Sequence, residues 1–396
     1  MMASNESTIP KTTVLGIGGA GLKVLKVIAS LPGNEWLNLA VADTDEQALN
    51  SVGIENSFAI GTEWTNGAGC GGNPTRGHNA FAHESNKQLE KFISGSSMLI
   101  AIAGLGMGTG TGGASIIGRM ARRLKIPCIF ILTMPFSFEG QGKYEVAKDG
   151  LNLLISDIDI VLPISNDILF TSLNADIPVK QAFIKADEAL AHAAIGLAEV
   201  FRCTDLLTIG FAELKEIFGN KKTSCCIGMG RVHSEISGNR INSVMDAFID
   251  SPLMSGEKSL KNADVVITTI VGGNDFQIGE LKDALDIIKN MVGKDTKIIS
   301  GVNTDKAYND LLFITSLIIN YENKEKKTKK ATKPTLPNPW RKDEHSTVDD
   351  HLVQPELLLQ SFNRGYFGNT EQNLIDGEDV DIPTHQRRSI TLNTGL

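Results

Sequence analysis

The chain has 396 residues, enough for two ordinary domains or one large domain with a tail. Its 41% apolar content is that of a globular protein, and its net charge of −8 argues against general nucleic-acid binding. The five cysteines, Cys70, Cys128, Cys203, Cys225 and Cys226, are irregularly placed without zinc spacing, and read as reduced thiols of a cytoplasmic protein.

The start, MMASNESTIPKTT, is polar and has no apolar signal core, and no later run approaches the roughly 20 apolar residues that span a bilayer. KTTVLGIGG then reads as a strand entering a glycine loop and a helix. Gly16, Gly18 and Gly21 satisfy G-x-G-x-x-G, and Asp43 closes the next strand-like run, LNLAVADTD. Taken alone, that is a dinucleotide-binding fingerprint. A polar, glycine-rich loop follows, TNGAGCGGNPTRG. SSMLIAIAG is a further strand, and it runs into GLGMGTGTGG, in which only Leu105, Met107, Thr109 and Thr111 are not glycine. Strand, glycine loop and helix in that order bring bare N–H groups and a helix N-terminus together, as a phosphate requires. A flexible hinge is the plainer alternative; a Walker loop is excluded, because no Gly-Lys-Ser/Thr follows.

IPCIFILTMP and DIVLPIS continue the strands, and helix-length segments between such runs indicate βαβ units around a parallel sheet. DIPVKQAFIKADEALAHAAIGLAEVF carries apolar residues at helical spacing. KNADVVITTIVGG, TKIISGVNTD and LLFITSLIINY form a second strand-rich region, with the helix candidate IGELKDALDIIKNMV between the first two. Beyond Tyr321 the lysine- and proline-rich ENKEKKTKKATKPTLPNPWRKDEH reads as linker. The expected fold is α/β: a parallel-sheet domain over 12–175, a central helix over 176–201, a smaller α/β domain over 202–322, and a flexible linker and tail over 323–396. Three glycine loops at one sheet edge exceed the needs of a dinucleotide pyrophosphate and suit a triphosphate gripped from several sides.

The stretch AGLGMGTGTGGA closely resembles the signature loop of the tubulin/FtsZ family. GIGGAG, DTDEQALN, GAGCGGNP, PFSFEG, PISND, SPL and VGGND resemble the bacterial members in the same order, over roughly residues 12–321. The resemblance implies a GTP-binding domain, a connecting helix and a smaller C-terminal domain, in a protein that forms head-to-tail filaments. It sets the phosphates against Gly18, Gly19, Ala20 and Gly21, with Leu22 and Lys23 next to them, and against Gly106, Met107, Gly108, Thr109 and Gly110. Gly71, Gly72 and Asn73 would lie by the terminal phosphate, with Lys143 as the basic residue of the site. Glu139 would bind the ribose hydroxyls; Asn166 and Asp187 would read the guanine edge, and Phe183 would stack on the ring. A carboxylate accepts from guanine N1–H and its amino group, which adenine cannot satisfy. GTP and GDP are the ligands implied, Mg2+ is admitted beside the phosphates, and no protein metal site is expected.

Departures from the family pattern shape the expected activity. Leu22 and Lys23 replace paired asparagines, Met107 the middle glycine of the signature triplet, and Lys143 an arginine. If position 107 needs φ > 0, the methionine would store strain of roughly 1–3 kcal/mol and weaken nucleotide binding. In the family, a loop after the central helix inserts acidic residues against the nucleotide of the next subunit. The matching segment, LLTIGFAELKEIF, has Thr208 for an asparagine, Gly210 for the first aspartate and Glu213 for the second. Gly210 cannot orient water, and misplaced water costs on the order of a hundredfold, so slow turnover is expected. In the tail, Asp381, Ile382, Pro383, Arg387 and Arg388 resemble the family's tail peptide, so that 376–390 would bind a divisome or membrane adaptor, while LVQPELLLQSF would fold as a short helix. The expected partners are further copies of the chain and a second FtsZ-type protein, at the division site or membrane through an adaptor. Two alternatives stand beside the slow GTPase: a nucleotide-independent scaffold that copolymerises with another filament protein, and an NAD-dependent oxidoreductase.

Overall fold

The computed structural model describes residues 11–82, 87–155, 158, 160–171, 173–174, 176–202, 216–217, 223–233, 240–254, 256–321, 374–375 and 378–379. The first half alternates strand and helix: β1 (Thr12–Ile17), α1 (Gly18–Ser30), β2 (Asn38–Asp43), α2 (Glu46–Asn50), β3 (Asn56–Ala59). Three short helices follow, α3 (Thr62–Thr65), α4 (Pro74–Ala82) and α5 (Lys87–Ser94), before β4 (Met98–Gly104) and α6 (Thr109–Leu124). The unit closes with β5 (Cys128–Met134), α7 (Gln141–Ile155), β6 (Ile160–Ser165) and α8 (Asn166–Thr171). Its six strands are all parallel, in the order β3-β2-β1-β4-β5-β6. β1, β4 and β5 are covered on both faces, which is why they read as unbroken apolar runs.

Helix α9 (Val179–Val200) starts after Pro178, whose missing N–H costs nothing at a helix start. Its buried alanines let it lie close against α1 and against a second sheet. That sheet contains β7 (Thr223–His233), β8 (Val265–Gly272), β9 (Lys297–Thr304) and β10 (Leu311–Tyr321) in the order β7-β10-β8-β9, with only β8 and β9 parallel. Helices α10 (Arg240–Ile249), α11 (Glu257–Lys261) and α12 (Ile278–Met291) belong to the same half. One core cluster runs through α1, α9 and both sheets, so the two halves share a hydrophobic interior.

A polar knot sits at the end of α9. Glu199, 1% exposed, accepts from Arg202 at 3.2 Å and from Asn303 Nδ2 at 2.7 Å. Arg202 also donates to Asp305 at 2.8 Å and lies over the Trp36 ring at 4.8 Å. Burial pushes the Glu199 carboxyl above its usual range, with Arg202 and Asn303 pulling it back.

Residues 330–396 form a separate unit. Within it, Leu374–Ile375 pairs antiparallel with Glu378–Asp379. The expected helix at 352–362 lies outside the described residues, as do Asp381, Ile382, Pro383, Arg387 and Arg388. Among the described residues no helix is long and apolar enough to cross a membrane.

Candidate nucleotide site

β1 pairs with β2 on one side and β4 on the other, so the winding of the sheet reverses there. Ligands of open α/β sheets settle at such a switch point, outside the strand carboxyl ends. The loops after β1 and β4 meet at this place: a Cβ on Gly18 would lie 3.1 Å from the Gly110 nitrogen, and Gly18 has φ +70°. Both loops open helices whose N-caps, Ile17 and Gly108, supply no side-chain hydrogen bond, and neither helix has an acid in its first turn. Two positive helix ends with orphan N–H groups therefore face one crevice, a setting for an anion.

The strand order is also that of dinucleotide-binding folds, so topology alone does not choose the ligand. Asp43 bears on that choice. It is 3% exposed, and its Oδ1 accepts from the Thr44 nitrogen at 2.7 Å and the Asp45 nitrogen at 3.3 Å. A carboxylate holding its own turn is not presented to a ribose, so the oxidoreductase reading loses its acid.

The glycines between Gly104 and Gly113 are crowded mainly by protein. A Cβ on Gly108 would sit 2.5 Å from Cys70 Cβ and 3.1 Å from the Asn73 nitrogen. One on Gly110 would run into the Gly104 carbonyl, one on Gly112 into the backbone of α4, and one on Gly113 into the Phe81 ring. Gly19 and Gly72, by contrast, have nothing within 4 Å of that position, and Gly71 has only an Arg76 guanidinium nitrogen at 3.8 Å. Met107 is 49% exposed and is not among the residues with positive φ. The strain anticipated there does not arise, because the left-handed turn of the loop is made by Gly106, at φ +98°. Thr109 is held by a 2.7 Å hydrogen bond between its hydroxyl and that of Thr44. Asn73 uses its Oδ1 to cap α4, accepting from the Thr75 and Arg76 nitrogens at 2.9 and 3.2 Å.

The opposite end of the crevice is aromatic and acidic. Phe183, 39% exposed, meets both Phe136 and Phe170 edge-on at 5.4 Å, and Phe138 stacks on Phe136 at 4.9 Å. Of these four rings the sequence pattern singles out only Phe183; Phe136 and Phe138 belong to the PFSF stretch, and Phe170 joins them only through the fold. Asp187, one turn beyond Phe183, is half-buried; burial raises its pKa to about 6, against the pull of the Lys23 charge on α1. Leu22, at 2% exposure, belongs to the core, so its side chain is withdrawn from the crevice. Glu139 accepts from the Phe136 nitrogen and from Lys143 Nζ, both at 3.0 Å. Asn166 is the first residue of α8, at the carboxyl end of β6. The loops after β1 and β4 thus set Gly18 beside Thr109 and Gly110, and α1 brings the Lys23 charge within reach of Asp187. Thr208, Gly210 and Glu213 lie outside the described residues. Among the described residues no group of three or more His, Cys, Asp or Glu could hold a metal ion.

Comparison with known proteins decides the ligand class. Residues 11–174 match the GTPase domain of the Tubulin/FtsZ family, and residues 224–322 match the C-terminal domain of the FtsZ family. The chain is 30% identical over 383 residues to the cell division protein FtsZ of Azotobacter vinelandii, covering 95% of this chain and 89% of the relative. It belongs to the tubulin/FtsZ family. The FtsZ of Pseudomonas putida is 28% identical over 98% of both chains. An empty dimer of M. jannaschii FtsZ superposes with a TM-score of 0.70 at 28% identity, over 80% of this chain and 89% of that one. Membership implies a guanine-nucleotide site, and the cradle described above fits one: uncapped helix ends for phosphate, open glycines for close approach, and a ring platform beside a carboxylate.

Proposed function

We propose that this chain is a GTP-binding protein of the FtsZ type that assembles head to tail into filaments and turns GTP over slowly at the subunit contact. The convergence of two uncapped helix ends on one crevice, with Phe183 and Asp187 at its far end, carries the reading. The loops at Gly18–Gly21, Gly106–Gly110 and Gly71–Asn73 would hold the phosphates; Glu139 would take the ribose, and Asn166, Phe183 and Asp187 the base. Phosphoryl transfer depends on positioning and on stabilising charge, which aligned backbone N–H groups supply without reorganisation. Orienting the water falls to Glu213 of a neighbouring copy, because Gly210 has no carboxylate. Mg2+, when bound with the phosphates, would neutralise part of their charge.

Sedimentation with GTP, with GDP and without nucleotide, with phosphate release measured alongside, tests the proposal. Polymer only with GTP and slow phosphate release are expected. Assembly indifferent to nucleotide would instead favour the scaffold reading. Glu213→Ala should abolish the residual turnover and spare assembly; Gly210→Asp with Glu213→Asp should raise turnover and shorten filament lifetime. A brisk wild-type rate unaffected by Glu213→Ala would sink this account of the contact.

A further inference from the structure

A nucleoside triphosphate carries several negative charges, and a helix end offers only about half a positive charge. Side-chain cations beside the phosphates would supply further positive charge. Lys143 is tied to Glu139 at 3.0 Å, and the charge of Lys23 acts on Asp187. Arg76 differs from both. It is exposed on the first turn of α4, and its guanidinium donates to a neutral group, the Trp64 carbonyl, at 3.4 Å. No carboxylate pairs with it among the described residues.

Its position follows from the sheet. The ribose and base candidates, Glu139 and Asn166, follow β5 and β6 on one flank; the loop at Gly71–Asn73 leads from β3, on the other. A nucleotide laid across the switch point with its base toward β6 directs its terminal phosphate toward the loop that carries Arg76. The Asn73 cap fixes the main chain beneath Arg76, and Asn73 itself lies against Gly108 of the signature loop. The space beside Gly71 and Gly72 is open, apart from the Arg76 guanidinium itself.

We propose that Arg76 is a phosphate-binding residue that exchanges the Trp64 carbonyl for the terminal phosphate of a bound nucleoside triphosphate, a contact a diphosphate lacks. This rests on the nucleotide reading above. A guanidinium fork matches phosphate oxygens two at a time, whereas a lysine at the same place offers a point charge. Arg76 then biases the site toward the triphosphate state.

The test compares equilibrium binding of GTP and GDP to the full chain in wild type, Arg76→Ala, Arg76→Gln and Arg76→Lys. Arg76→Ala and Arg76→Gln should weaken GTP binding about tenfold or more and change GDP binding less than about twofold, as expected for losing a charge-assisted bond. Arg76→Lys should fall between. Arg76 is exposed, so GDP binding and an unshifted melting curve will report intact folding. Equal loss for the two nucleotides, or no loss, would overturn the assignment. Wild-type protein that binds neither nucleotide would overturn the nucleotide reading itself.

Discussion

Between Gly104 and Gly113 side chains are excluded chiefly by other parts of the protein, whereas at Gly19 and Gly72 they are missing over open space. The first set lets α6 approach α4 and the end of β4 at backbone distance. The second leaves room for something that is not protein. A glycine-rich signature can thus be two superposed demands, one from packing and one from a ligand, and only three-dimensional neighbours separate them.

Substitutions separate the two demands experimentally. Gly110→Ala and Gly112→Ala drive a methyl group into main-chain atoms, and should cost about 3 kcal/mol or more of folding stability, read from denaturant midpoints. A variant as stable as wild type would refute the packing role. Asp187→Ala belongs to the ligand side: GTP affinity should fall roughly ten- to a hundredfold by calorimetry, with the melting temperature retained. Tighter binding of ATP than of GTP by the wild type would remove the premise.

Acidity should act on the same residue in two directions. With a folded pKa of about 6, Asp187 is ionised and able to accept from guanine above that pH and is neutral below it. GTP affinity should therefore be full near neutrality and decline as pH falls through about 6. The folded pKa lies above the 3.8 of the free side chain, so the folded state binds the proton first. Between about pH 6 and 4 this group's contribution to stability rises while binding falls. A flat affinity profile across that window would show that Asp187 does not face the base. The smallest effect is expected from Gly19→Ala, where stability should stay within about 0.5 kcal/mol while nucleotide affinity drops several-fold. Unchanged affinity would mean the space beside Gly19 is not the ligand's.

The most legible strands are those buried on both faces, such as ILTM of β5 and VVITTIV of β8, because continuous apolar runs need no pairing information; the partly exposed β2, β6 and β9 are also readable, from their flanking turns. β7, TSCCIGMGRVH, escaped notice. Its Gly228 and Gly230 are where α10 presses in: a Cβ at Gly228 would lie 2.7 Å from the Phe248 ring, and one at Gly230 would meet the Val244 carbonyl. Those glycines dilute the apolar signal for a reason that lies many residues away. The four-residue edge strand β3 and the short helices α4 and α10 were likewise too brief for their periodicity to register.

Of the candidate site residues, the glycine loops stand out as local patterns, whereas Phe183 and Asp187 rest on the family resemblance, with which their four-residue helical spacing is consistent. Arg76 does not stand out, because its neighbours, the Trp64 carbonyl and Gly71, come together only through the turn before α4. Asp43 was misleading for the converse reason. Its spacing from the first glycine loop is right for a ribose ligand, but Thr44 and Asp45 claim its carboxylate.

The knot around Glu199 has a consequence for how the molecule answers to ionic strength. Mobile ions screen exposed charges beyond a Debye length of about 8 Å at physiological salt, but they reach buried pairs poorly. With the Glu199 side chain enclosed and Arg202 only 14% exposed, the link from α9 to Asp305 is sheltered from that screening. Arg76, by contrast, is set in solvent. Added salt should thus loosen the hold on phosphate well before it loosens the joint between the two halves, which makes a salt titration a way to unload the site while leaving the body of the protein intact.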